Sequence, residues 1–167
     1  MRIWGVDYDT KKITVVQFVD GQFDCYWMLP TPDVQKKRGF EERWDAIREM
    51  TRRILWEHTK SKTLPDWVYI EDVVAVHNPK VQTQMAFIAG TLAVYCMERD
   101  VGLTFVDIST WKKSTVGRGN ADKDQVKKWA IKIIGMSEKL PQDVYDATCL
   151  AFYGSRNVGD HIGGDDE

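Results

Sequence analysis

The chain has 167 residues, enough for one globular domain to bury its core without disulfides or a structural metal. No apolar run approaches the roughly 18 residues of a membrane span and no leader pattern precedes the first strand-like run, so the sequence predicts a soluble intracellular protein without signal peptide or membrane anchor. Three widely spaced cysteines, Cys25, Cys96 and Cys149, exclude a disulfide framework and argue against zinc, and the net charge of −2 conceals a base-free acidic end carrying Asp160, Asp165, Asp166 and Glu167.

Residues 2–7 form a short apolar run ending in an acid. After an Asp9-Thr10-Lys11-Lys12 turn comes the β-branched run 13–19, and the hairpin signal Asp20-Gly21 introduces a third strand over 22–29. Three antiparallel strands thus open the fold. Residues 30–39 are a loop with the basic cluster Lys36-Lys37-Arg38, followed at helical spacing by Phe40, Trp44, Ile47, Thr51, Ile54 or Leu55, and His58. Pro65 ends that connection. Residues 67–70 are continuously apolar, the pattern of a strand buried on both faces, and they end in Glu71-Asp72.

Asn78-Pro79 opens a second helix, with Val81, Met85, Ile88, Ala89, Leu92 and Cys96 in period, and residues 103–106 make a further strand. Residues 111–123 read as a loop rich in bases and glycine. Asn120 is the expected N-cap of the next helix, which carries Val126, Trp129, Ala130, Ile133 and Ile134 on one face. The order βββαβαβαα predicts an α/β fold, a mixed five-stranded sheet with helices on both faces. Residues 1–156 form the expected domain, and 157–167 an acidic, disordered tail.

The last helix carries the chemistry. Pro141 suits the first helical position, which places Asp143 in the first turn. At about 100° per residue, Asp143, Asp146, Ala147, Leu150 and Ala151 share one stripe, so both acids are expected to face the protein body. Two inward carboxylates repel each other and cost desolvation unless a cation or a raised pKa compensates. An acidic first turn also serves as a plain capping feature, so the acids upstream bear on the reading. Asp7 and Glu71 both follow apolar strands, and in open α/β sheets strand ends and helix starts converge on one site. Four carboxylates without a basic partner suit hard cations such as magnesium. Two such ions about 4 Å apart can activate water and stabilise the leaving oxygen of a phosphodiester.

Beyond this chemistry, the chain resembles the RuvC-type Holliday junction resolvases, a branch of the RNase H-like nuclease superfamily. The motifs are Gly5-Val-Asp7, Ile70-Glu71-Asp-Val followed by Asn78 and Gly90, and Asp143-Val-Tyr-Asp146-Ala. The most specific is Val116-Gly-Arg-Gly-Asn-Ala-Asp-Lys123-Asp-Gln-Val126, similar to the family's glycine-and-lysine loop. The resemblance implies an RNase H-like sheet, a structure-selective endonuclease acting on four-way and other branched DNA, and a homodimer. It implies Asp7, Glu71, Asp143 and Asp146 as catalytic ligands of two Mg2+ ions, with Mn2+ able to substitute. Lys112 and Lys123 would approach the scissile phosphate, Lys123 as a catalytic residue. Two departures stand out: Tyr8-Asp9 replaces the Pro-Gly of bacterial members, and Val74 stands where many relatives place a junction-wedging aromatic.

Residues 108–132 hold seven bases against two acids, a local charge of +5. Lys112, Lys113, Arg118 and Lys123 are the expected DNA contacts there, and Trp111 is a candidate for stacking on a base. Met85, Ile88, Leu92 and Tyr95 mark residues 81–98 as the expected dimer interface. His77 and His161 read as bystanders. Two alternatives use overlapping features: an RNase H-type nuclease on RNA–DNA hybrids, and a non-catalytic junction-binding dimer. An actin-like ATPase does not fit, because Asp7-Tyr-Asp-Thr10 lacks the phosphate-loop glycine.

Overall fold

The computed structural model describes residues 1–31, 45, 49, 64–72 and 78–159. The expected helix from Phe40 to His58, apart from helical Asp45 and Glu49, lies outside the described residues, as do Lys36-Lys37-Arg38, Val74, His77 and the tail beyond 159 with His161.

Five strands, β1 (Arg2–Tyr8), β2 (Lys12–Val19), β3 (Gln22–Pro30), β4 (Trp67–Glu71) and β5 (Gly102–Val106), form one sheet in the order β3-β2-β1-β4-β5. The first three are antiparallel, while β4 pairs parallel with both β1 and β5. Asp20 and Gly21, at φ 50° and 80°, supply the two left-handed residues that let a tight hairpin follow the twist of β2 and β3. The continuous apolar run of β4 is explained by its central place, with both faces covered.

One face of the sheet, with Trp4, Val6, Ile13, Val15, Val68 and Ile70, packs against helix α1 (Pro79–Met97), whose Asn78 caps it by accepting from the Lys80 amide. The other face, with Ile3, Val16, Phe18 and Tyr69, is covered by α2 (Ile108–Val116), by α3 (Lys123–Trp129, continuing as a π-turn through Ala130–Ile134) and by α4 (Gln142–Asn157). The mixed five-stranded sheet with helices on both faces is thus borne out.

Four expectations need correction. Ile88, Leu92 and Tyr95 are buried in the core beneath α1 and half-buried Met85 packs against that core, so the stripe expected at a subunit interface is taken up within the chain. The sheet needs the whole of this wide apolar stripe, and the exposed face of α1 is the opposite one, with Val94 at 52% and Met97 at 76% exposure. Second, Trp111 to Val116 are helical rather than loop. The Asp107 carboxylate accepts from the Ser109 and Thr110 amides at one end, and Gly117 at φ 89° closes the other, two caps strong enough to make a short helix of a polar segment. Third, the N-cap of α3 is Asp122, which forms a reciprocal capping box with Gln125, and Asn120 stands outside it. Pro141 likewise sits one position earlier than expected, as the N-cap of α4 with extended ψ, which leaves Asp143 in the first turn.

Candidate active site

Two of the acids are brought together by strand pairing alone. β1 and β4 run parallel with Val6 opposite Ile70, so Asp7 and Glu71 follow side by side at the same strand ends. Alternation points both toward the face that carries α4, the same side as Ile3 and Tyr69.

The other two arrive because α4 lies almost on the backbone of β1. A Cβ on Gly5 would stand 2.2 Å from the Ala147 carbonyl oxygen and 2.3 Å from the Ala151 amide nitrogen, so only glycine allows this approach. Gly154 makes the same allowance for the Tyr69 ring one turn further on. With the helix seated there, its first turns bring Asp143 and Asp146 over the ends of β1 and β4, and the four acids form one electrostatic cluster.

Burial and mutual repulsion work in the same direction. Burial raises the Asp7 carboxyl well above the usual range, and Asp146, Glu71, Asp143 and Asp9 raise it further. Burial likewise raises Glu71 and Asp146, against which neighbouring donors and cations act. Among the described residues no three of these side chains converge closely enough in their observed positions to enclose an ion, so gripping one requires them to draw together. The donor set is nonetheless all oxygen and strongly anionic, the chemistry of a hard divalent cation.

Each acid has a neighbour that constrains it. The Trp111 indole N–H donates to Glu71 Oε2 at 3.2 Å. The Gln142 amide donates to Asp146 Oδ1 at 3.2 Å and reaches the Lys123 carbonyl at 3.4 Å, which links α4 to the start of α3. Lys112 lies 5.5 Å over the Trp111 ring, its charge acting on Glu71 and Asp146, and Lys123 acts on Asp146. Asp143 is ion-paired with Lys12 of β2.

Most of the sequence-derived site is therefore assembled. Asp7, Glu71, Asp143, Asp146, Lys112 and Lys123 are grouped. Lys113 and Arg118 are exposed further along, Arg118 in the turn after Gly117, and nothing ties either to the carboxylates. Trp111 is the exception. At 1% exposure it is a core residue holding Glu71, and it cannot stack on a base. Sequence reasoning misses three contributors. Gln142 has a local signal, four residues from Asp146 on the same helix. Trp111 as a partner of Glu71 and Lys12 as a partner of Asp143 have none, and the Lys12 pair corrects the view that these acids lack a basic partner.

Residues 33–153 match the protein family described as Crossover junction endodeoxyribonuclease RuvC. A protein of that description from Mycobacterium sp. (strain KMS) is 33% identical over 157 residues, covering 90% of this chain and 80% of the relative. One from Nocardia farcinica is 36% identical over 152 residues, with 90% and 79% covered. Among solved structures, Thermus thermophilus RuvC superposes with a TM-score of 0.75 at 18% identity, covering 96% of this chain and 97% of that one. The same protein in complex with Holliday junction substrate also gives 0.75 at 18% identity, with 98% and 96% covered. Family match, relatives and fold point the same way, and the chain belongs to the RuvC family of crossover junction endodeoxyribonucleases.

Proposed function

We propose that this protein is a structure-selective DNA endonuclease that resolves four-way junctions, with Asp7, Glu71, Asp143 and Asp146 as its metal-binding carboxylates. The observation that carries this reading is the grouping of all four acids at the β1, β4 and α4 ends, flanked by Lys112 and Lys123. RuvC family nucleases are metal-dependent. Two magnesium ions, with manganese as a substitute, suit the all-oxygen donors, and when bound would supply the Lewis acidity that activates water and stabilises the leaving oxygen. Trp111 and Gln142 hold Glu71 and Asp146 in place. Lys112 and Lys123 offset phosphate charge at the cleavage point, and Lys113 and Arg118 extend the basic track along the DNA.

A junction presents two strands to cut at related positions, and the described residues hold one carboxylate cluster, so symmetric resolution takes a homodimer. The exposed side of α1 suits that contact. Ala86, Phe87, Gly90, Val94 and Met97 lie along about 100° of its surface and continue into a shallow groove between Pro79 and Phe87. In this reading residues 1–156 form the nuclease domain and 157–167 the acidic tail, with Val158 still packed in the core just past that boundary.

Cleavage of four-way, three-way and linear DNA and of RNA–DNA hybrid duplex, with magnesium and with chelator, tests the proposal. The four-way junction should be cut in magnesium, and Asp146→Asn should abolish cutting while junction affinity holds or rises, because a negative charge beside the phosphates is gone. Wild-type cleavage by that variant would sink the assignment. Preferential cutting of the hybrid would favour RNase H chemistry instead.

A further inference from the structure

The turn between β1 and β2 is held far more firmly than a short hairpin requires. The Asp9 carboxylate accepts from the Lys11 amide at 2.6 Å and the Lys12 amide at 2.9 Å, while the Asp9 amide donates to the Lys12 carbonyl at 2.9 Å. The flanks are pinned as well. The Gln84 side chain of α1 donates to the Thr10 carbonyl at 2.5 Å, and Thr31 donates through its hydroxyl to Thr10 and through its amide to the Lys11 carbonyl. Asp9 thus clamps the backbone of Lys12 from both sides, with Thr31 just past β3 and Gln84 of α1 bracing the same turn.

What this brace aims is the Lys12 side chain. Its ammonium is ion-paired with Asp143 Oδ2, an oxygen otherwise shut off from solvent, while Lys11 beside it is exposed and outside the cluster. Among the described ion pairs this is the only one made by an acid of the cluster. The lysine therefore offsets charge where a cation would otherwise be required.

We propose that Lys12 is a built-in counter-ion of the metal-free site, competing with the metal for Asp143, so that metal loading requires the ammonium to be released from that carboxylate. The inference rests on the metal-site reading given above. It makes the Asp9 turn a positioning device: Asp9 sets where Lys12 begins, and Lys12 sets how tightly the cluster holds metal. A monovalent ammonium paired with one carboxylate offsets the repulsion among the acids only in part, and it yields to a divalent cation because the latter draws several carboxylates at once.

The test is Mn2+ binding to the DNA-free protein, followed by electron paramagnetic resonance and calorimetry at fixed ionic strength, with thermal melts alongside. Lys12→Met keeps the length of the side chain and removes its charge, Lys12→Arg keeps the charge, and Lys11→Met makes the same change in net charge outside the cluster. Lys12→Met should bind Mn2+ about tenfold more tightly than wild type, as expected when a nearby unit charge is removed from a partly buried site. It should also melt lower without metal and show a larger rise on adding it, since a ligand stabilises by its affinity for the folded state. Lys12→Arg and Lys11→Met should stay near wild type. Affinity unchanged or weakened in Lys12→Met, or raised equally in Lys11→Met, overturns the inference while leaving the metal site standing. Absence of Mn2+ binding in every protein, wild type included, overturns both.

Discussion

At the scale of single residues, the acids of the site are costly to the fold, and the sign of that cost is testable. Asp7, Glu71 and Asp146 have carboxyls raised above their ordinary values, chiefly by burial. The folded chain therefore holds protons that the unfolded chain has released, and this contribution to stability is full below pH of about 4 and is lost as pH climbs through the raised values. Asp20 and Asp107 shift the other way, so their contributions are lost only as pH falls below the ordinary range. Metal-free protein should accordingly melt at lower temperature near neutral pH than near pH 5. Asp7→Asn should flatten that slope and gain about 1–3 kcal/mol at neutral pH while losing cleavage. Melts of both proteins across pH, with chelator present, decide it: a wild type most stable at neutral pH contradicts the burial argument. Trp111 offers a second residue-level case. Its indole donates to Glu71 from inside the core, so Trp111→Phe should slow single-turnover cleavage about tenfold or more with junction affinity intact. A Trp that stacked on a base would instead cost about 1–3 kcal/mol of binding.

At the scale of elements, α2, the turn after it and α3 act as a unit. Capping by Asp107 and Gly117 makes α2 a helix, whose Lys112 faces the acids, and the Asp122–Gln125 box starts α3 at Lys123. The turn between them leaves Arg118 exposed to solvent. These placements separate two roles for the base-rich segment. Arg118→Ala should weaken junction binding and lower the log–log salt slope by about one, the signature of one lost phosphate contact. Lys123→Ala should chiefly slow cleavage, because a cation beside Asp146 stabilises charge that develops in the transition state. Junction affinity across a salt series together with single-turnover rates measures both. If neither variant moves either quantity, the segment is not at the DNA.

At the scale of the whole molecule, the prediction concerns assembly. The side of α1 turned away from the sheet is largely apolar and exposed, with Gly90 near its midline and Val94 and Met97 on either side. Burying that stripe against its copy would remove from water the two most exposed large apolar side chains of the helix, Val94 and Met97, and Gly90 one turn before Val94 lets backbones approach. Val94→Asp places a charge in that contact and should shift the protein to monomer in light scattering at micromolar concentration, with the fold preserved by circular dichroism. It should also uncouple the two cuts of a junction, giving nicked rather than resolved product. A strictly monomeric wild type, free and on junction DNA, would reject the dimer.

Much of this molecule is legible in the amino-acid sequence by itself. Hairpin chemistry at Asp20-Gly21, the doubly buried run of β4 and the apolar period of α1 are local patterns, and local patterns carry the strands and most helices. The grouping of Asp7, Glu71, Asp143 and Asp146 is also within reach, since each ends an apolar strand or begins a helix and parallel pairing does the rest. What only the tertiary structure decides are matters of facing and reach. Whether Met85, Ile88, Leu92 and Tyr95 meet the sheet or another subunit depends on how wide a stripe the sheet demands, which no periodicity states. Whether Trp111 meets DNA or Glu71 depends on two caps that turn a polar segment into a helix. The pairing of Lys12 with Asp143 joins residues from opposite ends of the chain, and only the close seat of α4 on Gly5 brings them within reach.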